Sequence, residues 1–235
     1  MRARSGAPGV NEFFDGGRQA ATELQAALAA AGRSLDQFDS VLDFGCGAGR
    51  VLPWMAAVAS RARCAGCDVD PAAIAWATEH HPELGWTISG PKPPLPFSDA
   101  SHSLLYSISV FSHLAEADQD SWLAELQRVL TTGGVALLSV HGEYAFEQFR
   151  SGRVRSGWCA PGAFARDALD DEEFLFVPYR RSRWNRGDLP GVAPEYGLAF
   201  HGRGYVTKRW SGMLAVEAVL PRAITGWQDI VVCAR

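Results

Sequence analysis

Val41-Leu42-Asp43-Phe44-Gly45-Cys46-Gly47-Ala48-Gly49-Arg50 decides the fold, because a short apolar run ends there in three glycines at alternate positions. Glycine takes up left-handed backbone at little cost and lets the main chain come close to a ligand, and a helix that starts just beyond such a turn offers free N–H groups. Residues 40–44 read as a strand and 50–59 as a helix, so the segment is strand, glycine turn, helix. A dinucleotide fingerprint would carry its third glycine one place later, where Arg50 stands. The spacing therefore favours a nucleoside with no pyrophosphate to cradle.

Upstream, Phe14, Ala21, Leu24, Leu28 and Ala31 recur at helical spacing, and Gly32 supplies a stop, which predicts an N-terminal helix over 11–32. Downstream, strands over 63–67, 85–89, 103–109 and 135–140 alternate with helices over 71–80 and 120–130. The second of these helices has Trp122, Leu123, Leu126, Val129 and Leu130 on one face. That alternation predicts an α/β fold, a parallel sheet with helices on both faces. From 142 to 212 the chain is rich in Arg, Gly, Pro and aromatics without a helical or alternating period and reads as an insert between strands 5 and 6. Residues 213–220 and 228–234 then read as closing strands, an antiparallel hairpin turned by Pro221 and Gly226.

The second strand ends in Cys67-Asp68-Val69-Asp70-Pro71, some 20 residues beyond the turn. Asp68 is placed there to accept both ribose hydroxyls, and Val69 to lie against an adenine face. Asp70 reads as the N-cap of the helix that begins with Pro71. Cys64 and Cys67 form a C-x-x-C pair, but no second pair or nearby His completes a tetrahedral set, so no metal site is expected.

With 235 residues, 47% hydrophobic and 20% charged, the chain suits one domain with an elaboration. Its net charge of −4 gives no basic field for nucleic acid or anionic membranes. No apolar run approaches the roughly 20 residues that span a bilayer, and residues 1–15 lack the apolar core of an export signal. Five scattered cysteines, Cys46, Cys64, Cys67, Cys159 and Cys233, do not suggest a disulfide framework. A cytoplasmic protein is expected.

Five motifs carry a family resemblance: the glycine turn, Gly66-Cys67-Asp68-Val69-Asp70-Pro71, Pro94-Leu95-Pro96-Phe97-Ser98-Asp99, the stretch from Ser107 to Leu114, and that from Trp122 to Gly134. In order and spacing over 41–141 they resemble the class I S-adenosylmethionine-dependent methyltransferases. The N-terminal helix and Trp227-Gln228-Asp229-Ile230-Val231-Val232 extend the likeness to a bacterial subgroup found beside sugar- and secondary-metabolite-modifying enzymes. The resemblance implies a Rossmann-like seven-stranded sheet in a single domain over 1–235: helix 11–32, cofactor core 40–141, substrate-side insert 142–212 and closing strands 213–235. It implies S-adenosylmethionine as cofactor, with Asp43, Gly45, Gly47 and Gly49 on its methionyl part and Asp68 on its ribose. Leu95 would flank the adenine and Ser107 would lie near the sulfonium. The chain departs from the pattern at Pro91, where many relatives are acidic, and at His102-Ser103, in place of Phe-Asp.

Methyl transfer from a sulfonium is an in-line displacement, so alignment and exclusion of water come first. A base becomes useful when the acceptor is a hydroxyl. In an open α/β sheet the ligand lies beyond the carboxyl ends of the strands, which nominates His113 after strand 4 and His141 at the end of strand 5, with Glu143 and Tyr144 just past it. The aromatics of the insert, Trp158, Tyr179, Trp184 and Tyr196 among them, suit an acceptor pocket. The arginine run from Arg180 to Arg186 suits an anion, or pairing with the acids Asp170 to Glu173. The expected function is methyl transfer to a small-molecule hydroxyl, on a sugar-bearing or secondary-metabolite compound. The alternatives are an S-adenosylmethionine-binding regulatory or scaffold subunit, and an N-methyltransferase.

Overall fold

The computed structural model describes residues 8–160, 162–180 and 196–235. Helix α1 (Pro8–Ala30) precedes β1 (Ser40–Phe44), α2 (Leu52–Val58), β2 (Arg63–Asp68), α3 (Pro71–His80) and β3 (Gly85–Ile88). Next come β4 (His102–Ser107), α4 (Glu116–Val129), β5 (Leu130–Val140) and α5 (Glu143–Arg150). The chain closes with β6 (Phe174–Pro178), β7 (Gly197–His201), α6 (Arg203–Trp210), β8 (Ala215–Ile224) and β9 (Gln228–Ala234). Seven strands form one sheet in the order β3-β2-β1-β4-β5-β9-β8, and β6 pairs with β7 separately. β1 to β5 are mutually parallel, whereas β9 runs antiparallel to both β5 and β8. The expected α/β fold and antiparallel hairpin are found.

Side chains alternate across the central strands because a strand has a period of two. Val41, Leu104, Tyr106, Val135, Leu137, Ile230 and Val232 face α1 and α2, meeting Leu24, Leu28, Leu52 and Met55. Their neighbours Leu42, Phe44, Leu105, Ala136, Leu138, Val231 and Cys233 face α4 and α6, meeting Trp122, Leu126, Val206 and Trp210. Burial on both faces stabilises by roughly 1.5–3 kcal/mol per large side chain, and it explains why these strands read as continuous apolar runs. Helix α1 crosses close to the glycine turn: a Cβ on Gly17 would fall 1.9 Å from the Arg50 carbonyl oxygen.

Several boundaries differ from expectation for visible reasons. Helix α4 starts at Glu116 rather than 120, with Glu116 and Asp118 suited to the positive end of its dipole. Strand β5 begins at Leu130 rather than 135. Its pairing with β4 slips between His102↔Leu130 and Leu104↔Val135, and Gly133 (φ +75°) lies within that irregularity. The expected N-cap is found: the Asp70 carboxylate accepts the Ala72 and Ala73 N–H groups at 2.9 and 3.4 Å.

The described residues of the insert form more regular structure than its lack of periodicity implies. Helix α5 and the β6–β7 pair enclose a core of their own, with Phe146, Cys159, Leu169, Val177, Leu198 and Phe200. Helix α6 belongs to the sheet instead, with Tyr205, Val206 and Trp210 packed in the α4-side core. It is the crossover leading into β8, which runs parallel to β5 on the far side of β9. Of the arginine run only Arg180 is described; residues 181–186, Trp184 included, lie outside the described residues. The nearby acids are paired elsewhere, Glu173 with Arg166 at 2.7 Å and Glu172 with Lys208 at 3.4 Å. Among the described residues no helix is long and apolar enough to cross a membrane.

Candidate functional site

The strand order reverses between β1 and β4, which makes the carboxyl ends of these two strands the place where an open α/β sheet leaves a crevice. A cavity of about 180 Å³ opens there. Phe44 and Gly45 line it from the end of β1, Asp68 and Val69 from β2, and Ser89 and Pro91 from beyond β3. Ile108, Ser109, Val110 and His113 line it from beyond β4, with Trp122 of α4 and Tyr196 of the insert completing the wall.

The glycine turn is tied to β2. The N–H groups of Gly45 and Cys46 both donate to the Cys67 carbonyl, at 2.8 and 3.0 Å. Gly47 N–H donates to Asp68 Oδ2 at 2.7 Å, and Asp70 N–H to Oδ1 at 2.9 Å. The Asp68 carboxylate is thereby fixed at the cavity wall while retaining lone pairs for a ligand. Two of the glycines are required sterically. At Gly45 (φ +81°) a Cβ would fall 2.3 Å from a Val110 methyl, and at Gly49 (φ +73°) one would fall 2.6 Å from the Trp86 ring. Gly47 (φ +54°) has nothing within 4 Å where a Cβ would stand, so the turn is open on that side.

Asp43 lies under this turn, 3% exposed, opposite Tyr106 in the β1–β4 register. Its carboxylate accepts the Tyr106 hydroxyl at 2.9 Å. Burial pushes its pKa up to about 7; the Tyr106 hydrogen bond opposes that rise and the nearby Asp68 adds to it. Ser107 is buried, and its Oγ has no partner among the described residues. Two positions on, the wall residue Ser109 has φ +62°, a conformation uncommon for a side-chain-bearing residue. It is held by its N–H to Ser139 Oγ at 2.8 Å and by Gln228 Nε2 donating to its Oγ at 2.9 Å.

Of the expected site residues, Gly45, Asp68, Val69 and His113 meet at the cavity, and Gly47 and Gly49 share its turn. Two are placed differently. Leu95 is 3% exposed and packs into the α4-side core beside Phe44 and Trp122, its N–H donated to the buried carboxylate of Glu125 at 2.7 Å. Ser89 and Pro91 take the cavity wall on that side instead. His141 is 4% exposed, its ring 5.4 Å from that of Phe200 and 5.9 Å from that of His113, and it is not among the wall residues. Burial, with His113 and His201 nearby, holds it neutral with a pKa near 3. Tyr144 lies apart under the Arg222 guanidinium, 4.0 Å from its ring centroid. Tyr196, one of the insert aromatics expected to suit a pocket, lies on the wall, whereas Trp122 and Ser109 escaped the sequence reading. Trp122 read as a core residue of α4, and only the unusual backbone of Ser109, invisible in sequence, singles it out.

The residues fit S-adenosylmethionine. Asp68 puts a carboxylate on the wall, and Asp43, its pKa raised to about 7, lies buried beneath the turn. That environment favours the ammonium and sulfonium of a methionyl sulfonium, and the open face at Gly47 admits a ligand against the main chain.

Comparison with known proteins agrees. Residues 42–138 match a family model described as a methyltransferase domain. A probable S-adenosylmethionine-dependent methyltransferase of Mycolicibacterium smegmatis is 34% identical over 110 residues, which is 47% of this chain and 41% of that protein. The matched part of the chain thus spans well under two thirds of that relative. The solved structure of the PH0226 protein from Pyrococcus horikoshii OT3 superposes with a TM-score of 0.60 at 15% identity, covering 95% of this chain and 94% of that one. An S-adenosylmethionine-dependent methyltransferase from Mesorhizobium loti superposes at 0.57 and 16% identity, covering 91% and 98%. Residues 42–138 thus match a methyltransferase-domain model, and the chain shares the fold of solved S-adenosylmethionine-dependent methyltransferases.

Proposed function

We propose that this protein is a cytoplasmic S-adenosylmethionine-dependent methyltransferase that methylates a hydroxyl of a small molecule, a sugar-bearing or secondary-metabolite compound as in the bacterial subgroup its motifs resemble. The observation that carries this reading is the sharing of one cavity wall by Gly45, Asp68 and His113. Cofactor-side groups and an imidazole thus face the same space. Bound there, the cofactor supplies an electrophilic methyl on a sulfonium. Asp68 would accept the ribose hydroxyls with the lone pairs that Gly47 and Asp70 leave free, and Val69 would flank the adenine. Asp43, whose pKa burial raises to about 7, would lose its proton more readily with a cationic methionyl part above it.

Trp122, Tyr196 and Val110 wall the reacting end with apolar surface and exclude water from it. Burial lowers the His113 pKa, so the ring is neutral near pH 7 and able to accept the acceptor's hydroxyl proton as the new C–O bond forms. His141, further inside, does not reach the cavity wall and helps only by packing beside His113.

Two measurements test the reading. Isothermal titration with S-adenosylmethionine and S-adenosylhomocysteine is expected to show binding that Asp68→Ala weakens about tenfold or more, roughly 1.4 kcal/mol. Absence of binding by the wild type would end the methyltransferase reading. With an acceptor in hand, His113→Ala should slow turnover on a hydroxyl by about 10²–10⁴. Unchanged turnover would redirect the search towards amine or thiol acceptors.

A further inference from the structure

We infer that the β6–β7 pair of the insert is a positioning device for His113: the Gly197 carbonyl and the Tyr179 hydroxyl converge on Nδ1 and turn Nε2, with its lone pair, to the acceptor. This rests on the methyltransferase reading and assigns Tyr179 and Gly197 a part in it. The Gly197 carbonyl oxygen and Tyr179 Oη each lie 2.9 Å from His113 Nδ1. A carbonyl only accepts, so Nδ1 is the nitrogen that carries the proton. In the neutral ring the lone pair then belongs to Nε2, the form a general base needs.

The two contacts come from one rigid unit. Tyr179 N–H donates to the Tyr196 carbonyl at 3.1 Å, which extends the β6–β7 ladder by one pair beyond Pro178↔Gly197. Glycine is required where the ladder meets His113, because a Cβ on Gly197 would fall 2.4 Å from the Val177 carbonyl oxygen and 2.7 Å from the Phe176 ring. Tyr196, the insert's own residue on the cavity wall, lies between the two contacts. An acceptor that touches Tyr196 thus touches the same unit that orients the base.

The arrangement also serves the protonated ring. Once Nε2 has taken a proton, the Nδ1–H becomes a stronger donor, and two acceptors stabilise the imidazolium better than one. Among the described residues, the other titratable groups around His113 are His141 at the end of β5, kept neutral by burial, and Asp68 and Tyr196 on the shared wall.

The test needs no acceptor. Long-range 15N–1H NMR on histidine-labelled protein, with His113 assigned by its loss in His113→Gln, is expected to show Nδ1 protonated and Nε2 bare. Tyr179→Phe should lower the His113 pKa in an NMR titration and leave S-adenosylmethionine affinity within twofold. With a hydroxyl acceptor, the same variant should reduce kcat about three- to tenfold and leave KM for the cofactor unchanged. Protonation at Nε2 in the wild type, or a titration that Tyr179→Phe does not move, would overturn the positioning role. If that variant fails to fold, the wild-type tautomer alone decides. Loss of cofactor binding by the wild type would instead strike the methyltransferase reading and leave the tautomer result standing.

Discussion

The two halves of the cavity are built by different physics. On the cofactor side the main chain does the work: positive φ at three glycines, two N–H groups on one carbonyl, two more on the Asp68 carboxylate. On the proposed acceptor side the work falls to side chains brought from far apart in sequence, Trp122 from α4, Tyr196 and Tyr179 from the insert, and His113 from beyond β4. Main-chain geometry permits few residue types and so leaves a pattern in the sequence. Packing of aromatics accepts many solutions and leaves almost none.

If the halves are as separate as this contrast implies, the largest disruption of one should spare the other. Phe200 is fully buried in the insert core, with ring contacts to Phe146, Phe149, Phe164 and His141. Phe200→Ala is expected to destabilise by about 3–5 kcal/mol, read by urea denaturation, with S-adenosylmethionine affinity at low temperature nearly unchanged. Joint loss of affinity and stability would show that the halves are one unit.

The next effect compares two glycines of the same turn. Gly45→Ala combines a strained φ with a clash against Val110 and should destabilise by about 2–4 kcal/mol. Gly47→Ala carries the backbone strain alone, about 1–2 kcal/mol, yet its methyl would stand in the open face and should weaken cofactor binding more than its stability change suggests. Equal effects of the two on stability would remove the steric argument.

A smaller, pH-dependent effect concerns Asp43. The unfolded carboxyl ionises near 3.8 while the native one holds its proton to about 7. Between these values the native state binds more protons than the unfolded one, so wild-type stability falls as pH rises through the window. Asp43→Asn has no proton to lose there. Its melting temperature relative to wild type should therefore rise from pH 5 to pH 8, by a few degrees, and a pH-independent difference would refute the buried-acid account.

The same division governs what could be read in advance. The sheet, its antiparallel β9, the glycine turn and Asp68 were all legible because period-two burial, strand ends and left-handed turns each constrain residue type at fixed spacing. Leu95 was misplaced because the pull of Glu125 on its main chain, across 30 positions, has no local signature. His113 and His141 looked equivalent as histidines at strand ends. Their difference arises from Phe200 and Gly197, more than 50 residues away in sequence, which bury one ring and tether the other.

The crossover between β5 and β8 requires only α6 to cover the sheet, and the segment ahead of it carries its own core. In architectural terms, that segment is a module set beside the sheet. No ladder of the seven-stranded sheet includes β6 or β7, so a change of length within the segment leaves every one of those ladders in place. Such a design lets new acceptors be tried without rebuilding the part of the protein that holds the methyl donor.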